Sequence, residues 1–161
     1  MLRASEYVLA FAVLAASLVA CGTPTDGPGN SEAPSPSHSS QVFGKDTELL
    51  SYGGNSIIVR SSPDPNTAQV DALVEGTLRA EEYGCLVVVN EETNARSAIK
   101  FPYGSSLSEQ GVKLPGGQYL GIDQSFSVGG GSRDMEAVLP QDLVEKCRLS
   151  GIQEIFVINP E

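Results

Sequence analysis

The sequence predicts a mainly β fold, a small antiparallel OB-like barrel or curled sheet with one short helix near the C-terminus. Three observations carry that expectation. Short stretches rich in β-branched and aromatic residues recur beyond Ser56, separated by turns containing Gly, Pro or Asn. Two of them, Leu86-Val87-Val88-Val89 and Ile155-Phe156-Val157-Ile158, are continuously apolar and read as central strands buried on both faces. One segment, Pro140–Arg148, has the spacing and terminal residues of a helix.

In chain order, strands are expected at Ser56–Arg60, Gln69–Ala80, Cys85–Asn90, Ser97–Phe101, Val112–Leu114, Gln118–Ile122, Ser125–Val128 and Glu154–Asn159. Glu81-Glu82-Tyr83-Gly84 joins the second strand to the third as a hairpin. Glu91-Glu92-Thr93-Asn94-Ala95 closes the next hairpin, with Asn94 as the residue able to turn left-handed. Leu114-Pro115-Gly116-Gly117-Gln118 fits a type II turn, in which Pro fixes φ and Gly accepts a positive φ. Gly129-Gly130-Gly131-Ser132 lacks the Lys of a phosphate-binding loop and reads as a turn that permits tight sheet curvature. In the helix, Pro140 sits in the first turn, Asp142 near the start, and Lys146 and Arg148 near the end, as capping and the helix dipole favour. Leu139, Leu143 and Val144 give it an apolar face.

The N-terminus has a different character. After Arg3, an apolar run from Tyr7 to Ala20 has the form of an export signal. It falls short of the about 20 apolar residues a spanning helix needs, because Cys21-Gly22-Thr23-Pro24 ends it. Leu18-Val19-Ala20-Cys21 resembles the lipobox of bacterial lipoproteins: an aliphatic residue, a tolerated second position, a small residue, then cysteine. The resemblance implies cleavage after residue 20 and a diacylglyceryl thioether on Cys21. Two acyl chains, at about 0.8 kcal/mol per buried CH₂, hold a membrane stably. The implied location is the cell membrane, lipid-anchored on its extracytoplasmic face, with the membrane as the first partner. Residues 1–20 are then the signal peptide, 21–46 a Pro/Ser/Gly-rich linker and 47–161 the β-rich globular domain. A flexible linker of about 25 residues has an r.m.s. span of roughly 25–30 Å. His38, the one histidine, falls in it and reads as a bystander.

A net charge of −10 argues against nucleic acid as a partner, since phosphates call for a basic footprint. It also argues against the domain lying flat on anionic headgroups. With Cys21 assigned to lipid, Cys85 and Cys147 remain, and an exported pair predicts a disulfide that staples the helix to the strand beginning at Cys85. A reactive or metal-binding pair is the weaker alternative, because neither cysteine lies in a C-x-x-C or near a histidine. The order Gly76-Thr77-Leu78, Gly84-Cys85-Leu86, Phe101-Pro102-Tyr103-Gly104 and the late Cys147 resembles small exported bacterial domains with a G-x-L…G-C-L…P-x-G pattern. Phe101 stands where Trp is common in that pattern. The resemblance implies a fold and no activity.

Catalytic constellations are not evident. Nucleophilic catalysis needs Ser, Cys or Thr beside an oriented base, and residues 47–161 contain no histidine and no G-x-S-x-G. Glu81/Glu82 and Glu91/Glu92 are carboxylate pairs, but in turns, whereas glycoside hydrolysis needs two carboxylates facing across a cleft. Zinc would require His/Cys clusters, and neither Asp64/Asn66/Asp71 nor Asp123/Asp134 matches a calcium loop. No metal and no other cofactor is expected. The candidate ligand-binding face gathers Phe101, Tyr103 and Tyr119 near the Pro102–Gly104 and Pro115–Gly117 loops, with Arg133 as charge partner. Such residues suit a sugar or a peptide, but core or rim packing of a small barrel is the favoured reading, because such domains have few large residues to fill a core. The expected function is a non-catalytic binding or interaction module of the cell envelope, engaging an envelope protein or polymer. The alternatives are a carboxylate-based hydrolase acting on surface polymer and a passive structural lipoprotein.

Overall fold

A computed structural model describes residues 37–63, 71–82 and 84–160. The signal segment, Cys21, the linker as far as residue 36 and the start of the strand expected from Gln69 lie outside the described residues. Among the described residues the order is β1 (Ser39–Phe43), β2 (Thr47–Tyr52), β3 (Asn55–Arg60), β4 (Ala72–Ala80), β5 (Leu86–Val89), β6 (Arg96–Phe101), β7 (Ser106–Ser108), β8 (Gly111–Lys113), β9 (Tyr119–Gly121), β10 (Ser125–Asp134), α1 (Met135–Val138), α2 (Gln141–Lys146) and β11 (Glu154–Ile158).

Strands β6, β11, β10, β4 and β5 lie side by side, and β5 pairs back onto β6, so they close a five-stranded barrel of the expected OB-like kind. The barrel is mixed rather than wholly antiparallel. β11 runs parallel to β6, Ile155 beside Ala98 and Val157 beside Lys100. This follows from the path between them: the chain leaves β6, forms the small sheet β7-β8-β9, and returns through β10 and two helices, a crossover of the length parallel neighbours need. On its other edge β6 pairs with β5 along Arg96–Ala98 and then, parallel, with β3 at Lys100 and Phe101.

Closure depends on β10. Its first part, Ser125–Gly130, pairs with β4, and its last, Gly130–Asp134, pairs with β11. Gly130 is the residue paired on both sides, and a Cβ built there stands 2.6 Å from the Val157 carbonyl oxygen and 3.0 Å from Val74 Cγ2. Only glycine allows that approach. The glycine run is therefore the interior of a bent strand, not the turn expected there. The Leu114–Gln118 turn also differs in type: positive φ falls on Gly117 (95°) rather than Gly116, and the Gly117 amide donates to the Leu114 carbonyl at 3.0 Å. That is the three-residue loop, a tight turn followed by a left-handed residue. Asn94 takes φ 54°, as its turn requires, and Asn90 Oδ1 accepts from the amides of Glu92 and Thr93.

One strand, β1, precedes the expected boundary at residue 47, and β2 begins at it. β1 is exposed except for Phe43, and its two apolar residues, Val42 and Phe43, are adjacent, so it carries none of the apolar alternation that marks a strand in sequence. It is held by its ladder with β2 and by Lys146, which donates to Gln41 and stands 5.5 Å above the Phe43 ring. His38 stacks on Tyr52 with centroids 4.1 Å apart, so it belongs to the folded unit and not to a linker.

Where one helix was expected there are two. Asp134 caps α1 by accepting from the Glu136 amide. Pro140 precedes α2 as its cap residue, Asp142 lies in its first turn and Lys146 in its last. The helix stops at Cys147 because Arg148 takes φ 54°. Cys147 is bonded to Cys85, with Cα atoms 4.8 Å apart, which fixes the end of α2 to the head of β5 as predicted.

Alternation divides the core in two. Val74, Leu78, Leu86, Val88, Ile99, Phe101, Val128 and Ile158 share one cluster, which the alternate residues of the barrel strands fill from inside and which extends to Leu107, Val112 and Leu120 of the small sheet. Val87, Ala98 and Ile155 face the other way and pack with Leu143, Val144, Cys147, Leu49 and Phe43. Among the described residues no helix is long and apolar enough to cross a membrane.

Candidate functional site

The outward face of β5 and β6 is the surface on which OB barrels bind oligonucleotides and oligosaccharides. Here it is closed over: Val87 and Ala98 are fully buried in the cluster that contains α2 and the disulfide. The same face stays open one row further along. The pairings Ile58–Lys100, Lys100–Val157 and Gly131–Val157 set one residue from each of β3, β6, β11 and β10 side by side. Lys100, Val157 and Gly131 of that row line a cleft of about 410 Å³. Arg133 lines it from the next row, two positions along β10, and Arg60 and Asn159 from the ends of β3 and β11. Ala137 and Val138 of α1 line it too, as do Asp134 and, before β2, Asp46. Because β3, β6 and β11 are mutually parallel, Arg60, Lys100 and Asn159 all lie at carboxyl ends of strands. In open parallel sheets those ends are where ligand crevices form.

Lys100 is the fixed point. Its side chain is 3 % exposed, yet its ammonium donates to Asp46 Oδ2 at 3.1 Å and to Thr47 Oγ1 at 2.8 Å. The Asp46 side chain is 67 % exposed, so the pair joins a buried cation to a solvated carboxylate. Burial works to raise the Asp46 pKa, but the hydrogen bond and charge of Lys100, with Thr47 and Arg60, outweigh it and hold the carboxyl below its ordinary value. Burial lowers the Lys100 pKa, and Asp46 recovers only part of that shift. Arg60 pushes Lys100 in the same direction as burial, as a like charge must.

The sequence-derived candidates do not assemble as one face. Phe101 is completely buried in the barrel interior, pointing inward with Ile99, and is a packing residue. Tyr103 and Tyr119 are about half exposed, and Tyr119 Oη lies 3.2 Å from Ser108 Oγ. Their loops meet, since a Cβ on Gly104 would stand 3.6 Å from Pro115 Cγ. Arg133 lies apart from them in the residues it lines, within the basic cleft. Lys100, Asp46, Thr47 and Arg60 were not anticipated. The signal available was a lysine inside Ala98-Ile99-Lys100-Phe101, at the same strand parity as Ala98.

One carboxylate of each pair named for hydrolysis is engaged by a neighbour. Glu81 accepts from Arg96 through both oxygens at 3.1 Å. Glu91 accepts from Thr77 and from Ser125, and those hydroxyls hold its pKa below the ordinary value. A general acid needs the opposite shift. Among the described residues no group of three or more His, Cys, Asp or Glu is placed to hold a metal ion. Comparison with protein-family models, with curated proteins and with solved structures finds no match for the chain.

Proposed function

We propose that this protein is a lipid-anchored extracytoplasmic lipoprotein whose globular domain is a non-catalytic binding module of the cell envelope, with the cleft between β3, β6, β11, β10 and α1 as its ligand site. The observation that carries the reading is the cleft itself. Three basic side chains, Arg60, Lys100 and Arg133, converge there from separate strands in a chain of net charge −10. Its volume falls in the roughly 300–1,000 Å³ range of small-molecule sites, and Ala137, Val138 and Val157 stand beside its charged groups. The anchor is supported by Leu18-Val19-Ala20-Cys21, and its partner is the membrane.

Two measurements on intact cells test this. Cys21→Ala should release the protein from the membrane and abolish the acyl mass on its N-terminus. A photo-crosslinking residue at Ala137, on the cleft rim, should capture a specific envelope protein or polymer fragment, and the capture should weaken when Arg133 is also changed to Met. Unchanged retention and mass would remove the anchor. A crosslink pattern identical to that of a probe on the opposite side of the barrel would remove the binding role.

A further inference from the structure

We infer that the cleft takes a small oxyanion, a carboxylate or phosphate ester, carried on a short apolar stem. The inference rests on the cleft being the ligand site proposed above. Of the five charged side chains that line it, Arg60, Lys100 and Arg133 are cations and Asp46 and Asp134 anions, a local excess of 3 − 2 = +1 against −10 for the chain. The two anions already have partners that keep them from a ligand. Asp46 is held by Lys100 and Thr47, and Asp134 accepts from the Glu136 amide at the head of α1. Arg133 is not so occupied: its guanidinium makes no hydrogen bond or ion pair with another described residue. An arginine offers a planar fork of donors that matches a carboxylate or phosphate edge in two parallel hydrogen bonds.

The floor favours the same ligand. Gly131 lies on the same face of β10 as Arg133, two positions before it and in the row of Lys100, and it adds no side chain to the floor. Ala137, Val138 and Val157 are apolar and line the remaining wall, which suits a short hydrocarbon stem better than a polyol. The Lys100–Asp46 pair, a buried ammonium balanced by an exposed carboxylate, is held in place before binding, so the charge that meets the ligand is that of Arg133. Because the rest of the surface is acidic, anions are repelled at long range and drawn only at the cleft. Added salt should therefore weaken binding less than it would for a basic protein.

The test uses the full chain in detergent micelles in chloride buffer, followed by the backbone amide resonances of Gly131, Val138 and Val157. Butyrate, butyl phosphate, butyramide and butylammonium share one stem and differ in head group. Saturable shifts are expected with butyrate or butyl phosphate, and binding at least tenfold weaker with the amide and the ammonium. The tighter of the two anions identifies the source chemistry. Arg133→Met should weaken anion binding about tenfold, as loss of a charge-assisted pair implies. Arg133→Lys should restore part of it. Butyramide binding as tightly as butyrate, or an unchanged affinity in Arg133→Met, overturns the anion assignment and leaves the binding module standing. Absence of shifts with all four probes overturns the assignment too, whereas a failed Ala137 crosslink with saturable butyrate binding counts against the envelope role alone.

Discussion

Strand β6 buries side chains on both of its faces, and by two different means. Inward, Ile99 and Phe101 meet Leu78, Val88, Val128 and Ile158, an interior made wholly of hydrocarbon. Outward, Ala98 is covered by α2, Leu49 and the disulfide, but two residues on, Lys100 is buried through one ammonium held by Asp46 and Thr47. Packing is non-directional and tolerates exchange among apolar residues of similar volume. An ammonium among apolar neighbours is tolerated only while its partners stay in place. The inner face therefore sets stability, and the outer end sets the position of charge in the cleft.

The largest difference between the faces should come from Phe101→Ala, which deletes a ring from a filled interior and should cost about 4 kcal/mol. In guanidinium denaturation this appears as a fall in midpoint at constant slope. A loss no greater than that of a surface substitution would break the comparison at once. Next comes the disulfide, which closes a loop across 62 residues and should contribute roughly 3–4 kcal/mol. Reduction should raise amide exchange in α2 and at Cys85 before it does in β4 and the inward residues of β6. If both sets lose protection together, the two faces form one cooperative unit.

Asp46→Ala tests the ionic lock directly. The carboxylate is mostly solvated, so little is lost at Asp46 itself, but the Lys100 ammonium is left buried with Thr47 as its remaining named partner. A cost of about 2 kcal/mol is expected, below the range for a fully buried pair because water can reach the vacated side. A cost near zero would mean that the ammonium swings out to solvent, and that the charge in the cleft is not fixed.

The inner face was legible in the sequence. Leu86–Val89 and Ile155–Phe156-Val157-Ile158 announce central strands by their apolar continuity, and cysteine arithmetic pairs Cys85 with Cys147. Phe101 misled because it adjoins a Pro-x-Gly loop, while its parity with Ile99 placed it inside. β1 was invisible because an exposed edge strand needs one buried residue, Phe43, and no alternation. The cleft was invisible for a different reason. Lys100 stands out within its strand, but its partner Asp46 is 54 residues away, and only strand register brings the two together with Arg133. Closure of the barrel at Gly130 likewise depends on which strands flank it, which a glycine run alone does not state.

The smallest expected effect is the most discriminating. Lys100→Met keeps the stem's volume and removes the buried charge, and Asp46, already exposed, simply rehydrates, so stability should change by no more than about 1 kcal/mol, in either direction. The pH dependence should change more clearly than the value at neutrality. Asp46 has a folded pKa below its ordinary 3.8, so the stability it contributes is present above that value and is lost as pH falls through the folded pKa. Lys100 has a folded pKa below its ordinary 10.5, so its buried charge opposes folding at neutral pH, and stability rises as pH climbs through the folded pKa toward 10.5. Lys100→Met should flatten both limbs. Glu91, whose pKa is lowered by Thr77 and Ser125 on β4 and β10, supplies an acid limb below its ordinary 4.5 that this substitution leaves untouched. Urea midpoints measured between acid and alkaline pH separate the two contributions. A variant that reproduces both wild-type limbs would show that the Lys100–Asp46 pair does not couple to folding, and the outer end of the wall would then be held by packing alone, as the inner face is.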